Sequence, residues 1–325
     1  MESRRYRSLF WPVILIGIGV LWLLGNLGII EPVSLGGLLR FWPVLLIVAG
    51  LDMLLTRRST WVGALMGLLV IGIIGFVLIA GPGLGWVQTP SAKTEQFTAE
   101  LNDAAAATIA LDLAEYPAEV NALTDDDLLF DATLDHHGVA VFTDTGSAQR
   151  VLRLAYTATP GTLFSFGMNE DWQIGLTPQI PLALNVDAGS GPATLNLADL
   201  NLTYLGVDAG SGPFTLMLPA SPDTYALELD AGSGPVVMDV APDADLTMTI
   251  NCGSGPLTID LPNDAAVRFE VREDGSGPVT TPGWLPRTQH GEDDEGVWET
   301  DGYATATHRV LIIIEDQGSG PVIIK

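Results

Sequence analysis

Apolar and polar positions divide the chain into two parts with different periods. Up to about residue 87 the sequence is almost continuously apolar, with runs of few or no charges at 9–30, 38–55 and 61–80. About 20 apolar residues are enough for a helix to cross the hydrocarbon core of a bilayer. From about residue 97 onwards apolar and polar residues alternate with period 2, which is typical of strands with one buried face. The pattern predicts three membrane-spanning α-helices followed by an all-β domain.

The all-β part is organised by a tetrapeptide, Gly-Ser-Gly-Pro, which occurs six times. The first glycines of the copies are 21, 22, 21, 22 and 43 residues apart, at Gly189, Gly210, Gly232, Gly253, Gly275 and Gly318. Because the last interval is twice the others, a degenerate copy is expected near Gly296. Glycine reaches positive φ without steric cost, and proline fixes φ and lacks an N–H, so the motif suits a tight corner before a strand.

Each repeat supplies two short strands and two turns, and a single repeat cannot bury its apolar side. Stacked repeats can, because each strand pairs with its equivalent about 4.8 Å along the axis. The pattern therefore predicts a β-solenoid of 21–22-residue coils over 97–325, a linker at 88–96 and a transmembrane domain at 1–87. An antiparallel sandwich is the alternative, but it does not explain identical corners at a constant period.

Two segments of the β part lack the tetrapeptide. Strand-like runs between 97 and 159 are expected to form earlier, diverged coils. Residues 284–299 are rich in Gly, Pro, Asp and Glu, so a loop on the degenerate coil is expected there.

Charge separates the two parts of this 325-residue chain further. Residues 1–87 hold six Lys or Arg against three acidic residues, whereas the remainder holds eight against 36. Cytoplasmic flanks of membrane helices retain Lys and Arg, and such residues precede the first and third apolar runs, at Arg4, Arg5, Arg7, Arg57 and Arg58. The N-terminus of a multi-pass cell-membrane protein is therefore expected in the cytoplasm and the acidic domain outside. The negative charge argues against a nucleic-acid partner.

Two of the apolar runs open with the same motif, Phe10-Trp11-Pro12 and Phe41-Trp42-Pro43. Over about residues 8–58 the sequence resembles the LiaI/LiaF-type transmembrane region of bacterial envelope-stress proteins. The Gly-Ser-Gly-Pro part resembles the putative-adhesin or toast-rack β-domains that follow such regions in LiaF-like proteins. The resemblance implies a protein of the envelope-stress or cell-wall-antibiotic response, often one that modulates a histidine kinase. LiaF-like proteins usually carry four helices, whereas three are predicted here.

Residues with catalytic or metal-binding chemistry are few. The single cysteine, Cys252, excludes an internal disulfide and is expected to be a small packed residue, with a reactive thiol as the alternative. The histidines have no partners at zinc-ligand spacing and are expected to be solvated: His136, His137, His290 and His308. Nucleophile-elbow, phosphate-loop and dinucleotide motifs are absent from the sequence, so neither catalysis nor an organic cofactor is expected.

Asp52 is the acidic residue within the second apolar run. Acidic residues inside membrane segments are often functional. Asp52 precedes Arg57 and Arg58 closely, so pairing at the membrane interface is expected. The alternative is a contact with another membrane subunit.

An acidic or amide residue precedes each corner by two positions: Asp187, Asp208, Asp230, Asn251, Glu273 and Asp316. In a solenoid these side chains stack about 5 Å apart, and each close pair of carboxylates repels by roughly 1 to 3 kcal/mol. Two interpretations stay open. Each side chain caps the N–H groups of its own turn, or the column binds divalent cations such as Ca²⁺.

The sequence as a whole predicts a non-enzymatic, membrane-anchored envelope protein that senses or modulates envelope stress through protein contacts. Its expected partners are the lipid bilayer and other membrane or envelope proteins, including a sensor kinase. The alternative is a surface adhesin or structural module that binds a glycan, a polymer or a neighbouring protein. Residues 322–325 end the last coil with no following strand, so an open edge for self-association or partner docking is also expected there.

Overall fold

The computed structural model describes residues 10–27, 33–34, 47, 60–81, 83–84, 86, 93–136, 138–157, 162–163, 171–220, 223–273, 275–291 and 294–325. The chain divides into two compact units. The first comprises Met1–Ala92 and Ala158–Asn169, and the second comprises Lys93–Thr157 and Glu170–Lys325.

The first unit contains two described helices, α1 (Phe10–Asn26) and α2 (Thr60–Ala80). Their apolar side chains pack together, and Leu21, Val77 and Leu78 are buried between them. The unit also contains a two-residue strand β1 (Val33–Ser34), which pairs antiparallel with β8 (Thr162–Leu163).

The prediction of three membrane-spanning helices is wrong. Two helices are described where three were expected. Within the described part of the chain, neither of them combines the length and the apolar character that a membrane crossing requires. The predicted second span, 38–55, lies outside the described residues except for Ile47.

The second unit consists of two long sheets with a short 3-10 helix at Tyr303–Thr305. Its strands are β2 (Lys93–Glu100), β3 (Ala106–Asp112), β4 (Ala118–Ala122), β5 (Leu128–His136), β6 (Val139–Thr145), β7 (Gln149–Thr157), β9 (Trp172–Leu176), β10 (Leu182–Asp187), β11 (Ala193–Asn196), β12 (Leu202–Asp208), β13 (Phe214–Leu218), β14 (Tyr225–Asp230), β15 (Val236–Val240), β16 (Leu246–Asn251), β17 (Leu257–Asp260), β18 (Val267–Val271), β19 (Val279–Thr280), β20 (Arg287–His290), β21 (Gly296–Glu299), β22 (Val310–Asp316) and β23 (Val322–Ile324). β2 begins inside the segment 88–96 that was expected to be a linker.

The eleven-strand sheet has the order β20-β21-β18-β22-β16-β14-β12-β10-β3-β7-β6, and the ten-strand sheet has the order β19-β23-β17-β15-β13-β11-β4-β9-β5-β2. The period-2 pattern explains why the sheets face each other. In β14, for example, Tyr225, Leu227 and Leu229 are buried while the alternate residues are exposed. One continuous apolar core results, with Trp172 and Phe214 among its largest fully buried side chains.

Equivalent strands of successive repeats pair in parallel. Val186 lies beside Val207, which lies beside Leu229. We call one strand from each sheet, at the same level of the stack, a rung. The rungs stack in the order β7 with β9, β3 with β4, β10 with β11, β12 with β13, β14 with β15, β16 with β17, β22 with β23, and β18 with β19.

The order of the rungs differs from the order of the chain, which the sequence analysis assumed. The rung of β22 and β23 lies between the rungs of β16–β17 and β18–β19. At the other end, the rung of β3 and β4 lies between those of β7–β9 and β10–β11. The prediction of an open edge at residues 322–325 is therefore wrong, because Val322–Ile324 pairs with β17 on one side and with β19 on the other.

The prediction of a degenerate repeat near Gly296 is also wrong. Gly296–Glu299 forms β21, which pairs antiparallel with β18 and, through a hairpin, with β20. This hairpin takes the place of the loop expected over 284–299. Antiparallel strands also flank the other end of the stack, where β6 pairs with β7, and β5 pairs with β9 and β2.

Candidate functional site

The Gly-Ser-Gly-Pro corners form a ladder of backbone hydrogen bonds along one edge of the second unit. The N–H of Ser211 donates to the carbonyl of Gly189 at 2.8 Å, and that of Ser233 donates to the carbonyl of Gly210 at 2.9 Å. The same bond continues through the inserted rung, from Ser319 to Gly253 and from Ser276 to Gly318, at 2.9 Å each. The corners therefore stack in direct contact.

Close stacking explains both glycines. The first glycine has positive φ in four of the copies, with values of 60° at Gly189 and Gly210, where a side chain costs free energy. At the second glycine a side chain is excluded because there is no room for a Cβ atom. A Cβ on Gly212 would lie 2.0 Å from the carbonyl oxygen of Gly191, which no real side chain tolerates.

A seventh corner continues this ladder without the tetrapeptide. It is Ala114-Glu115-Tyr116-Pro117, between β3 and β4, where Ala114 has a φ of 54° and its carbonyl accepts a bond of 2.9 Å from the Ser190 N–H. This corner was not predicted, because it shares only the proline with the tetrapeptide. The available signal was an aspartate five residues before a proline, Asp112 to Pro117, as in Asp187 to Pro192.

The predicted acidic and amide residues stand in one row. Parallel register places the following residues side by side: Asp112, Asp187, Asp208, Asp230, Asn251 and Asp316. We call this row the acidic column. Asp112 was not among the predicted residues. Glu273 was, and it continues the row beyond Asp316, because the N–H of Gln317 donates to its backbone carbonyl at 3.2 Å, as the N–H of Ala188 does to that of Asp208.

Carboxylates of the column cap the corners that follow them. Asp187, Asp208 and Asp316 each accept a hydrogen bond through Oδ1 from the N–H two residues ahead, at 3.2, 3.0 and 2.9 Å. This is the geometry that the capping interpretation requires. Within the described ranges, no group of three or more His, Cys, Asp or Glu side chains is arranged to hold a metal ion.

Asp112 is the column member whose ionisation the fold disfavours. Partial burial raises the pKa of its carboxyl group, and the neighbouring carboxylate of Asp187 raises it further. Hydrogen bonds from the backbone of Tyr156 and Ala114 and the charge of Arg153 act in the opposite direction without cancelling the rise.

A shallow groove lies beside the column on the outer face of the eleven-strand sheet. It has a volume of about 310 Å³ and is lined by residues including Asp112, Arg153, Asn185 and Gly206. Gly206 creates the depression, because a Cβ there would lie 2.9 Å from Oδ1 of Asn185. Beyond Gly206, the hydroxyl of Tyr204 donates to Oε2 of Glu228 at 2.9 Å.

Cys252 is buried, as expected for a small packed residue. Burial raises the pKa of its thiol to about 12, with a further contribution from the charge of Asp316. A thiol with so high a pKa is a poor nucleophile at neutral pH. Asp52, the candidate acidic residue of the second apolar run, lies outside the described residues.

The histidines divide between surface and core. His290 and His308 are exposed, as expected, and His137 lies outside the described residues. The expectation that His136 is solvated is wrong, because this side chain is fully buried. Its Nε2 lies 3.4 Å from Oε2 of Glu95, and its ring packs edge-on against Tyr156.

These features define a two-part protein with a large acidic β-domain of stacked rungs, and two family models match it. Residues 9–54 match the LiaI-LiaF-like transmembrane region, and residues 88–239 match the N-terminal domain of toast_rack, DUF2154. The family resemblance found in the sequence is thereby confirmed. The first match associates the chain with a membrane, and the pair of matches associates it with the cell envelope.

Among solved structures, this chain is similar to one described as "a putative cell adhesion protein" from Clostridium sporogenes ATCC 15579. The TM-score is 0.50 at 15% identity, with 72% of this chain and 99% of that chain covered. A structure described as "a putative adhesin" from Bacteroides fragilis NCTC 9343 gives a TM-score of 0.29 at 11% identity, with 73% and 99% covered. The first similarity concerns the fold. No curated protein matches this sequence.

Proposed function

We propose that this chain is a non-enzymatic cell-membrane protein that modulates the response to cell-envelope stress, with its β-domain outside the membrane and a membrane-bound sensor kinase as a partner. The observation that carries the proposal is the union of two matched regions in one chain, a LiaI-LiaF-like transmembrane region and a toast_rack N-terminal domain.

The described side chains support a role in binding rather than in catalysis. The groove beside the acidic column is shallow, and the carboxylates that line the corners are engaged as caps. The thiol of Cys252 is buried and weakly acidic. Extended outer faces are the surfaces through which stacked-repeat proteins usually bind partners.

The charge distribution supports an external β-domain. Residues from 88 onwards carry 36 acidic against eight basic residues. The cytoplasmic leaflet has a negative surface potential, which would repel this domain.

A deletion strain tests the proposal. Cells lacking the gene should show an altered transcriptional response to a cell-wall-active antibiotic, and the full-length gene should restore the wild-type response. The full chain should also co-purify with a sensor kinase after cross-linking in intact cells. An unchanged response together with no kinase in the cross-linked fraction would contradict the proposal.

A surface adhesin or structural module is the second candidate. The observation that favours it is a regular row on the outer face of the ten-strand sheet, where Thr194, Thr215, Val237 and Thr258 lie side by side in parallel register. A periodic face of this kind suits a repeating polymer such as a glycan. The structure described as "a putative cell adhesion protein" from Clostridium sporogenes has a similar fold. Loss of cell–cell or cell–surface attachment in the deletion strain, with a normal antibiotic response, would favour this candidate.

A further inference from the structure

The edge strand β6 (Val139–Thr145) differs in character from the other terminal strands of the two sheets. Within the described part of the chain, it pairs with β7 alone. An edge strand presents N–H and C=O groups that another strand can bind. Natural edge strands are usually protected from such pairing by charged side chains or by being very short.

The other three terminal strands carry this protection. β2 holds Lys93, Glu95 and Glu100, β20 holds Arg287, and β19 has two residues. β6 has seven residues and a single charged one, Asp144. Arg150 binds both carboxylate oxygens of Asp144, so that charge is neutralised within the same hairpin.

The outer face of this hairpin is unusually apolar. Val139, Val141 and Val151 are 57%, 50% and 50% exposed. They make up three of the five exposed large hydrophobic side chains that the structure describes in the second unit, the others being Met217 and Val237. All three valines lie on the β6–β7 hairpin, in which Thr145 pairs with Val151.

The charge distribution of the domain indicates which partner can bind to this edge strand. Two copies of a domain with 36 acidic and eight basic residues repel each other over most of their surfaces. The β6–β7 hairpin, residues 138–157, holds one aspartate against two arginines and is therefore free of this repulsion. A second copy can therefore approach the hairpin without that repulsion.

We infer that a second copy of this chain pairs with β6 of the first in antiparallel orientation, about a twofold axis near Val141. The two eleven-strand sheets then become continuous, and Val139 and Val141 of one copy come together with those of the other. Such a contact is self-complementary, as twofold symmetry requires. It is small, but association with a membrane confines the copies to one surface and raises their effective concentration.

Cross-linking in the native membrane tests this interface with the full chain. Cys252→Ala removes the single thiol and places alanine where other rungs already have it, at Ala209 and Ala231. Single cysteines are then introduced at Val139, Val141 or Thr143. Val237→Cys serves as the matched control, because Val237 is a similarly exposed valine, 44%, on the other sheet. A short bismaleimide should link two chains at one or more β6 positions and not at Val237.

A charge variant provides the second measurement. In the same membranes, in a chain with a cysteine at Val139, Val141→Lys should abolish the link between two 34.4-kDa chains, while Val237→Lys should leave it unchanged. Because Val141 is exposed, its substitution should leave the circular dichroism spectrum unaltered. The inference is overturned if no β6 position cross-links more than Val237, or if Val141→Lys leaves the link through the Val139 cysteine intact.

Discussion

Gln317 binds the corner of the neighbouring rung through its side chain. Its Nε2 donates to the carbonyl of Gly277, and its Oε1 lies 3.4 Å from the N–H of Gly275, which donates to it. In four of the other tetrapeptide rungs the equivalent position is small, at Ala188, Ala209, Ala231 and Cys252. Gln317 is fully buried, so this polar side chain is satisfied when its rung stacks against the rung of Gly275.

Replacing Gln317 by alanine should therefore destabilise the stack. Two hydrogen bonds are lost, and the carbonyl of Gly277 loses its partner, which typically costs roughly 1 to 3 kcal/mol. Chemical denaturation of the full chain in detergent, followed by circular dichroism, measures the change. Cys252→Ala at the equivalent position is the control and should be close to neutral. Equal effects of the two substitutions would contradict a specific role for Gln317.

The second glycine of a central corner should not tolerate a side chain. Gly212→Ala places a Cβ 2.0 Å from the carbonyl oxygen of Gly191. Relief requires the two rungs to separate, and overpacking of this kind costs roughly 1 to 3 kcal/mol. Gly283→Ala is the matched control, since a Cβ there has no heavy atom within 4 Å. Thermal unfolding should show a lower Tm for the first variant alone.

The corners also show why the rung order escaped prediction. Alternation and the 21–22-residue interval were enough to predict the strands, their buried faces and the need for glycine. All six tetrapeptides are identical, however, so the corners alone do not determine which rung stacks on which. The contact of Gln317 with Gly277 distinguishes the order, and it joins residues 40 positions apart. Local sequence carries no signal for such a contact.

Asp112→Asn should stabilise the protein at neutral pH. Since the folded state raises the pKa of this carboxyl above its ordinary value of 3.8, the folded protein binds the proton more tightly than the unfolded chain does. Stability is therefore lost as the pH rises through the window above 3.8. Asparagine keeps an oxygen that can accept the backbone hydrogen bonds of Ala114 and Tyr156. The Tm of the variant should exceed that of the wild type at pH 7, and the difference should vanish near pH 3.

Asp260→Asn provides the comparison for that measurement, because Asp260 is an exposed residue outside the acidic column. Its effect on Tm should be small at both pH values. If Asp112→Asn lowered the Tm at pH 7, its capping bonds would outweigh the cost of burying the charge.

Calcium should not stabilise the acidic column specifically. Three of its carboxylates already accept hydrogen bonds from backbone N–H groups of the corners, so capping accounts for the acidic residues. An ion that binds the folded state alone raises Tm with its concentration. Millimolar Ca²⁺ should therefore shift the Tm of the wild type and of an Asp208→Asn, Asp230→Asn double variant equally. A larger shift in the wild type would establish a cation site.

The column itself was largely predictable, because its members recur at a fixed offset from the corners. Asp112 was missed because its corner has lost the glycines and keeps only Pro117. Burial of His136 had a signal that was missed, because His136 is the last residue of β5 and shares the buried phase of its alternation with Ala132 and Leu134. Its contact with Glu95 had none, because Glu95 belongs to β2, 41 residues away.

The inserted rung determines when the β-domain can finish folding during synthesis. A solenoid whose rungs follow the chain can add each one as it emerges from the ribosome. Here β18 and β19 are made before β22 and β23 but lie beyond them in the stack. The fifth tetrapeptide corner must therefore wait until the sixth has been translated, and until then the apolar faces of Val267–Val271 and of the rung at β16 remain uncovered. Such transiently exposed strands are prone to aggregation, so a chain stalled after Thr280 would be a substrate for chaperones or proteases.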